Sequence, residues 1–169
     1  MNRRSLITTT ALAFAALSVP TLFGTRTRFG SVSNASEGKF EIEKTDEEWR
    51  KILTEDQFQV LRKEDTERPF TSALLDEHRA GNFHCAGCDL PVYGSYAKYD
   101  SGTGWPSFYE SLKDAIGDQE DKSLFAARTE IHCRRCGGHF GHVFEDGPKP
   151  TGMRHCLNGL ALTFKPDAA

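Results

Sequence analysis

Two C-x-x-C pairs, Cys85-Ala-Gly-Cys88 and Cys133-Arg-Arg-Cys136, restrict the folding of this chain more than any other feature. Each is short enough to present two thiolates to one tetrahedral cation, with Gly87 or Gly137 relieving the tight turn. Together they complete a zinc site of four thiolates, which draws two distant segments to one point and makes metal-binding free energy part of the folding free energy. With every position taken by protein, no water can join the metal, so the ion reads as structural. Three other arrangements compete with it. A disulfide framework suits an oxidising compartment, and a redox C-x-x-C motif sits at a helix start after a strand and is not needed twice. A site of two cysteines with His139 and His142 would leave Cys85 and Cys88 without a role.

Five cysteines is an odd number, so one sulfur stays unpaired whatever the others do. With four assigned to metal, that sulfur is Cys156, in Arg154-His155-Cys156-Leu157-Asn158. If this segment is extended and continuous with the strand after it, residues 154, 156 and 158 share a face. A guanidinium beside a thiol favours the thiolate, the nucleophilic form. The same spacing also fits an inert cysteine on a core face with Leu160 and Phe164, and spacing alone does not separate the two.

At 169 residues and 38% apolar content the chain has room for one domain and a leader. Of its 21 basic side chains, Arg3, Arg4, Arg26 and Arg28 fall within the first 35 residues, which hold none of the 24 acids. The remainder carries 17 bases against 24 acids, a net charge of -7 that makes nucleic acid an unexpected partner. A basic start, an apolar run from Leu6 to Val19, Pro20 and the small-residue site Ser33-Asn34-Ala35 have the layout of a cleaved secretory signal over 1–35. Arg3-Arg4 resembles a twin-arginine export signal, a route on which zinc would be loaded before transport, but Asn2 and the missing downstream lysine depart from that pattern and leave the ordinary unfolded route open. The expected location is therefore a bacterial periplasm, with an uncleaved membrane anchor as the alternative. Residues 36–40 read as a linker, 41–165 as the folded domain and 166–169 as a tail.

Thr45 with Glu48, and Thr54 with Gln57, are capping-box pairs, and Trp49, Ile52, Leu53, Phe58 and Leu61 succeed them at helical spacing. Two short amphipathic helices are expected there, and a third over about Ser72 to Arg79. From Phe83 onward, short apolar stretches cut by Gly, Pro, Asp and Asn predict strands. Leu124 to His132 is one candidate, and the alternation of Leu160, Leu162 and Phe164 with Ala161 and Thr163 is another. The class is α+β, with helices first and an antiparallel, β-rich part after.

Four blocks, Thr66-Glu-Arg-Pro-Phe-Thr-Ser-Ala-Leu-Leu-Asp76, Ser101-Gly-Thr-Gly-Trp-Pro-Ser-Phe108, Cys136-Gly-Gly-His-Phe-Gly-His-Val-Phe144 and Arg154-His-Cys-Leu-Asn158, closely resemble the methionine-R-sulfoxide reductases. The resemblance runs from about Phe40 to Lys165. It implies a single β-tent domain stapled by zinc on Cys85, Cys88, Cys133 and Cys136, with short helices packed outside. It makes Cys156 the nucleophile and Trp105 the wall that receives the substrate's S-methyl group, with Phe108 and Phe144 also in the substrate site. His142, His139 and Asn158 would surround the sulfoxide oxygen, and Arg154 and Asp146 would set the local charge. Proton donation to that oxygen makes it a better leaving group, for which histidine is suited, and the product on the enzyme is a sulfenic acid.

The chain departs from the family at one place. Many relatives carry a recycling cysteine in Ser-Gly-Cys-Gly-Trp-Pro, where this sequence has Thr103. The oxidised Cys156 is then expected to need an external thiol, thioredoxin-like or small. The expected partners are that reductant and oxidised proteins or peptides, and the expected state is a monomer. A non-catalytic zinc-stapled binding module and a zinc hydrolase using His139 and His142 are the alternatives.

Overall fold

The computed structural model describes residues 40–122 and 127–168. The leader expected over 1–35, residues 36–39 of the linker, Leu124 to Ala126 of a candidate strand and Ala169 of the tail lie outside the described residues. Among the described residues no helix is long and apolar enough to cross a membrane.

Both capping boxes form. In α1 (Asp46–Arg50) the Glu48 amide donates to Thr45 Oγ1 at 3.3 Å and the Thr45 amide to Glu48 Oε2 at 2.9 Å. In α2 (Glu55–Lys63) Thr54 and Gln57 repeat the exchange at 3.2 and 3.1 Å. Each cap is worth about 1 kcal/mol, which matters for helices too short to persist alone. Their apolar stripe buries Trp49, Phe58, Val60 and Leu61. Arg62 stacks over Trp49, 5.0 Å from the ring centre, and donates to the Cys136 carbonyl at 2.9 Å, which fastens α2 to the second cysteine knuckle.

No helix forms over Ser72 to Arg79, which is a run of turns. The Ser72 hydroxyl accepts from the Leu74 amide at 3.2 Å and Lys98 Nζ takes the Leu75 carbonyl at 2.8 Å, so the backbone groups a helix would pair are satisfied elsewhere.

The strands are β1 (Gly81–Cys85), β2 (Pro91–Gly94), β3 (Lys98–Tyr99), β4 (Ser107–Phe108), β5 (Ile116–Asp121), β6 (Arg128–Cys133), β7 (His139–Phe144), β8 (Arg154–Leu157) and β9 (Leu162–Pro166). They make a three-stranded sheet, β2-β1-β9, and a six-stranded one, β3-β4-β8-β7-β6-β5, with antiparallel pairing throughout. Phe83 and Tyr93 of the small sheet meet Phe108 of the large one with ring centres 5.0 and 4.6 Å apart, and this aromatic contact joins the two sheets. The final strand starts later than the alternation suggests. Residues Gly159–Ala161 form a 3-10 turn, Ala161 is buried, and the in-out pattern begins at Leu162. Strand β8 therefore stops at Leu157, and Asn158 is not on a continuous strand with Cys156. Pro166, expected in the tail, closes β9.

Candidate active site and metal centre

The two knuckles have matching backbones. The Asp89 amide donates to the Cys85 carbonyl and the Gly137 amide to the Cys133 carbonyl, both at 2.8 Å. The residue after each second cysteine is left-handed, Asp89 at φ 60° and Gly137 at φ 66°. The turn strain thus falls on Asp89 in the first knuckle, not on Gly87 as the sequence suggests. At Gly137 a side chain is excluded for a second reason, since a Cβ there would run into the Phe40 ring.

All four sulfurs lie within 4.8 Å of one another, with Cys85 to Cys136 at 3.7 Å and Cys88 to Cys133 at 3.5 Å. Zinc-sulfur bonds of about 2.3 Å in a tetrahedron require sulfur separations of about 3.8 Å. The cluster has the size and chemistry for zinc, and none of the five cysteines is joined in a disulfide. His139 is engaged elsewhere, with Nδ1 2.7 Å from Glu130 Oε1, so among the described residues the four cysteines form the set that could hold a metal.

Cys156 lies mid-sheet, opposite Ser107 of β4 on one side and His142 of β7 on the other. The close approach of β7 depends on Gly141, whose φ is 153° and where a Cβ would strike the Cys156 carbonyl. Cys156, His142, Trp105, Phe144, Asn158 and Arg128 line one cavity of about 150 Å³. That is below the size of a typical small-molecule site and suits a single side chain.

Each wall is held from behind. The Trp105 indole N–H donates to the Glu67 carbonyl at 3.0 Å, which fixes the ring plane. Asn158 accepts from the Glu67 amide at 3.0 Å and donates to the Phe140 carbonyl at 3.1 Å. An amide nitrogen carries two hydrogens and this bond uses one. The Glu67 carboxylate, which burial pushes above the usual carboxylate range, accepts from the Gly159 and Leu160 amides just beyond β8. His142 Nε2 is 2.8 Å from Asp121 Oδ2, and the same oxygen takes Arg128 at 2.6 Å. Burial lowers the His142 pKa, and the bond to Asp121 opposes that. Its imidazole is therefore neutral at rest near pH 7.

Arg154 pairs with Asp146 through two bonds of 2.8 Å and lies over Phe144 at 4.4 Å, and this pairing holds the Asp146 carboxyl below its usual range. The expectation that Arg154 lowers the Cys156 thiol is half met. Arg154 acts in that direction, but burial is the larger effect and pushes the thiol up.

Two residues predicted for the site stand outside it. Phe108 is fully buried against Phe83 and Tyr93 in the core, because Ser107 and not Phe108 is the register partner of Cys156. His139 is also buried and lies behind His142, ring centres 5.6 Å apart, away from the cavity wall. In return the structure adds Asp121 and Arg128, which face each other across the β5-β6 pairing, and Glu67. Glu67 falls in a block the resemblance rests on. Nothing in the spacing of Asp121 and Arg128 marks them, because the pairing that joins them is a tertiary event.

Residues 53–166 match the SelR domain family. The chain is 52% identical over 126 residues to a protein of Pseudomonas putida (strain W619), covering 74% of this chain and 95% of that one. It is 50% identical over 136 residues to one of Leifsonia xyli subsp. xyli, covering 79% and 98%. It is 49% identical over 127 residues to one of Leptospira interrogans, covering 75% and 97%. All three are named peptide methionine sulfoxide reductase MsrB. With a family model spanning most of the chain and relatives at half identity over nearly their whole length, this chain belongs to the SelR-domain family of methionine-R-sulfoxide reductases.

Proposed function

We propose that the chain reduces methionine-R-sulfoxide in proteins and peptides to methionine, with Cys156 as nucleophile and an external thiol as the final reductant. The observation that carries this reading is a lone thiol in a small cavity, facing an indole plane and an imidazole, in a chain of this family. The Cys156 thiolate attacks the sulfoxide sulfur and forms an S–S bond while the S–O bond breaks and the oxygen, having taken two protons, leaves as water. A water molecule then attacks the Cys156 sulfur, the S–S bond breaks with its electron pair going to the substrate sulfur, and one proton is released; methionine departs reduced by two electrons and Cys156 is left as a sulfenic acid, oxidised by two. Protonated His142 can hand a proton to the departing sulfoxide oxygen, its cross-strand register with Cys156 setting the distance. Trp105 offers its apolar face to the S-methyl group.

Two equivalents of thiol then return Cys156 to its starting state and release water. Four of the five cysteines are gathered at the metal centre, and Thr103 stands where many relatives have the recycling cysteine, its Oγ1 3.9 Å from Cys156 Sγ. Mixing the protein with one equivalent of a methionine-R-sulfoxide peptide and dimedone, without reductant, should place one dimedone adduct on Cys156. A disulfide between Cys156 and a metal-site cysteine would contradict the mechanism. The leader layout supports export, so the reductant belongs to a compartment that cytosolic thioredoxin does not reach directly. Sequencing the amino terminus of protein from a periplasmic fraction should find it close to Ser36, and an uncleaved chain confined to the cytosol would contradict export.

A further inference from the structure

A file of hydroxyl groups leads from the core to the reacting sulfur. Ser107, fully buried on β4, donates to the Trp105 carbonyl at 3.1 Å. Its Oγ is 2.7 Å from Ser101 Oγ, which is 2.8 Å from Thr103 Oγ1, which in turn is 3.9 Å from Cys156 Sγ. A hydroxyl has one hydrogen to give and can accept on its lone pairs. With Ser107 committed to Trp105, Ser107 accepts from Ser101, Ser101 accepts from Thr103, and Thr103 can only accept from the Cys156 thiol. The resting order of the file is thereby fixed by its buried end.

Ionisation removes the donor at the other end. We infer that the file reverses when the Cys156 proton leaves to water, so that Thr103 becomes a catalytic residue of this chain, donating a hydrogen bond to the thiolate, with Ser101 and Ser107 as its positioning residues. Reversal gives up one neutral bond, from Ser107 to the Trp105 carbonyl, and gains one to a charge, the stronger kind. No electrons move and no group is transferred. In this chain the hydroxyl stands where relatives have a recycling thiol, so the position serves the attack instead of the recovery. The inference rests on Cys156 being the reacting thiol.

Several charged or titratable groups also face that sulfur. They are Arg154 on β8, His142 on β7, Asp146 after β7, Tyr99 on β3 and Arg128 on β6 across the cavity. Of the influences that favour the Cys156 thiolate against burial, the Thr103 bond is the largest and Arg154 comes next.

The test is the pH dependence of iodoacetamide alkylation of the full chain with its zinc bound, read by mass spectrometry on the peptide that carries Cys156. Thr103→Val should move the midpoint up by about one unit, and so slow alkylation about tenfold at pH values below both midpoints. Thr103→Ser should keep the original midpoint. Ser101→Ala, which does not touch the sulfur, cuts the file, so that Thr103 donates to the thiolate with no neutral bond given up, and the midpoint should move down. An unmoved midpoint in Thr103→Val, or an equal shift in Thr103→Ser, overturns the inference. Should Thr103→Val lose zinc, Ser101→Ala decides alone, and an unmoved or raised midpoint there overturns it equally. The readout involves no sulfoxide, so it fails or succeeds separately from the proposed activity.

Discussion

Cys156 is partly buried beside His142, and loss of water moves the two in opposite directions, the thiol up and the imidazole down. Near pH 7 the resting pair is a neutral thiol and a neutral imidazole. The reactive pair, thiolate with imidazolium, holds the same number of protons, so its fraction stays constant between the two pKa values and falls outside them. The activity profile kcat/KM against pH should therefore be flat through neutrality. It should fall on the acid side only below the ordinary imidazole value of about 6.5, and on the alkaline side above the ordinary thiol value of about 8.5. His142→Asn should lower kcat/KM by about 10²–10⁴-fold and abolish that flat region, leaving a single rise with thiol ionisation. A flat region that survives the substitution contradicts the role given to His142. Thr103→Cys should restore the pattern of the relatives: with 3.9 Å between the present side-chain atoms, one turnover should end in a disulfide between the introduced sulfur and Cys156. Mass spectrometry showing both thiols alkylatable after turnover would contradict that geometry. At this scale the sequence reveals the sulfurs, Trp105 and His142 through their blocks. It misplaces Phe108 because one step of register moves a side chain to the other face.

The helices were legible because their signals are local, two capping boxes and a stripe at fixed spacing. The turn at Ser72 and the break after β8 were not, because they depend on distant partners, Lys98 for the first and Glu67 for the second. Glu67 acts at this level, tying the Trp105 loop, Asn158 and the start of the 3-10 turn to one short segment. Glu67→Ala keeps the two backbone bonds and removes the carboxylate from the Gly159 and Leu160 amides. Unpairing such buried groups should cost about 1–3 kcal/mol. Urea unfolding should show that loss, and a change below about 0.5 kcal/mol would mean that the carboxylate is not holding the junction. The β5-β6 pairing acts similarly through Asp121, which reaches His142 from a strand two places away in the sheet.

On the scale of the molecule, two sheets meet through Phe83, Tyr93 and Phe108, and the four-cysteine cluster pins the small sheet to the large one, since Cys85 ends β1 and Cys133 ends β6. The pairing of knuckles was readable from spacing, whereas the strand order β3-β4-β8-β7-β6-β5 was not, because non-sequential neighbours leave no local pattern. Zinc held by four thiolates contributes about 10–16 kcal/mol in isolated fingers, comparable to the whole stability of a typical domain. Stripping the metal with a strong chelator under reducing conditions should abolish cooperative thermal unfolding, and an unchanged Tm would show the cluster to be dispensable. In the proposed function four sulfurs build the protein while the fifth does its chemistry. The most direct measurement compares the zinc-loaded protein with Cys156→Ser on the separate R and S epimers of a methionine sulfoxide peptide, with dithiothreitol as reductant and zinc counted in both. R-epimer reduction is expected in the first, none in the second, and one zinc in each; R-epimer reduction that persists in Cys156→Ser would overturn this division of labour.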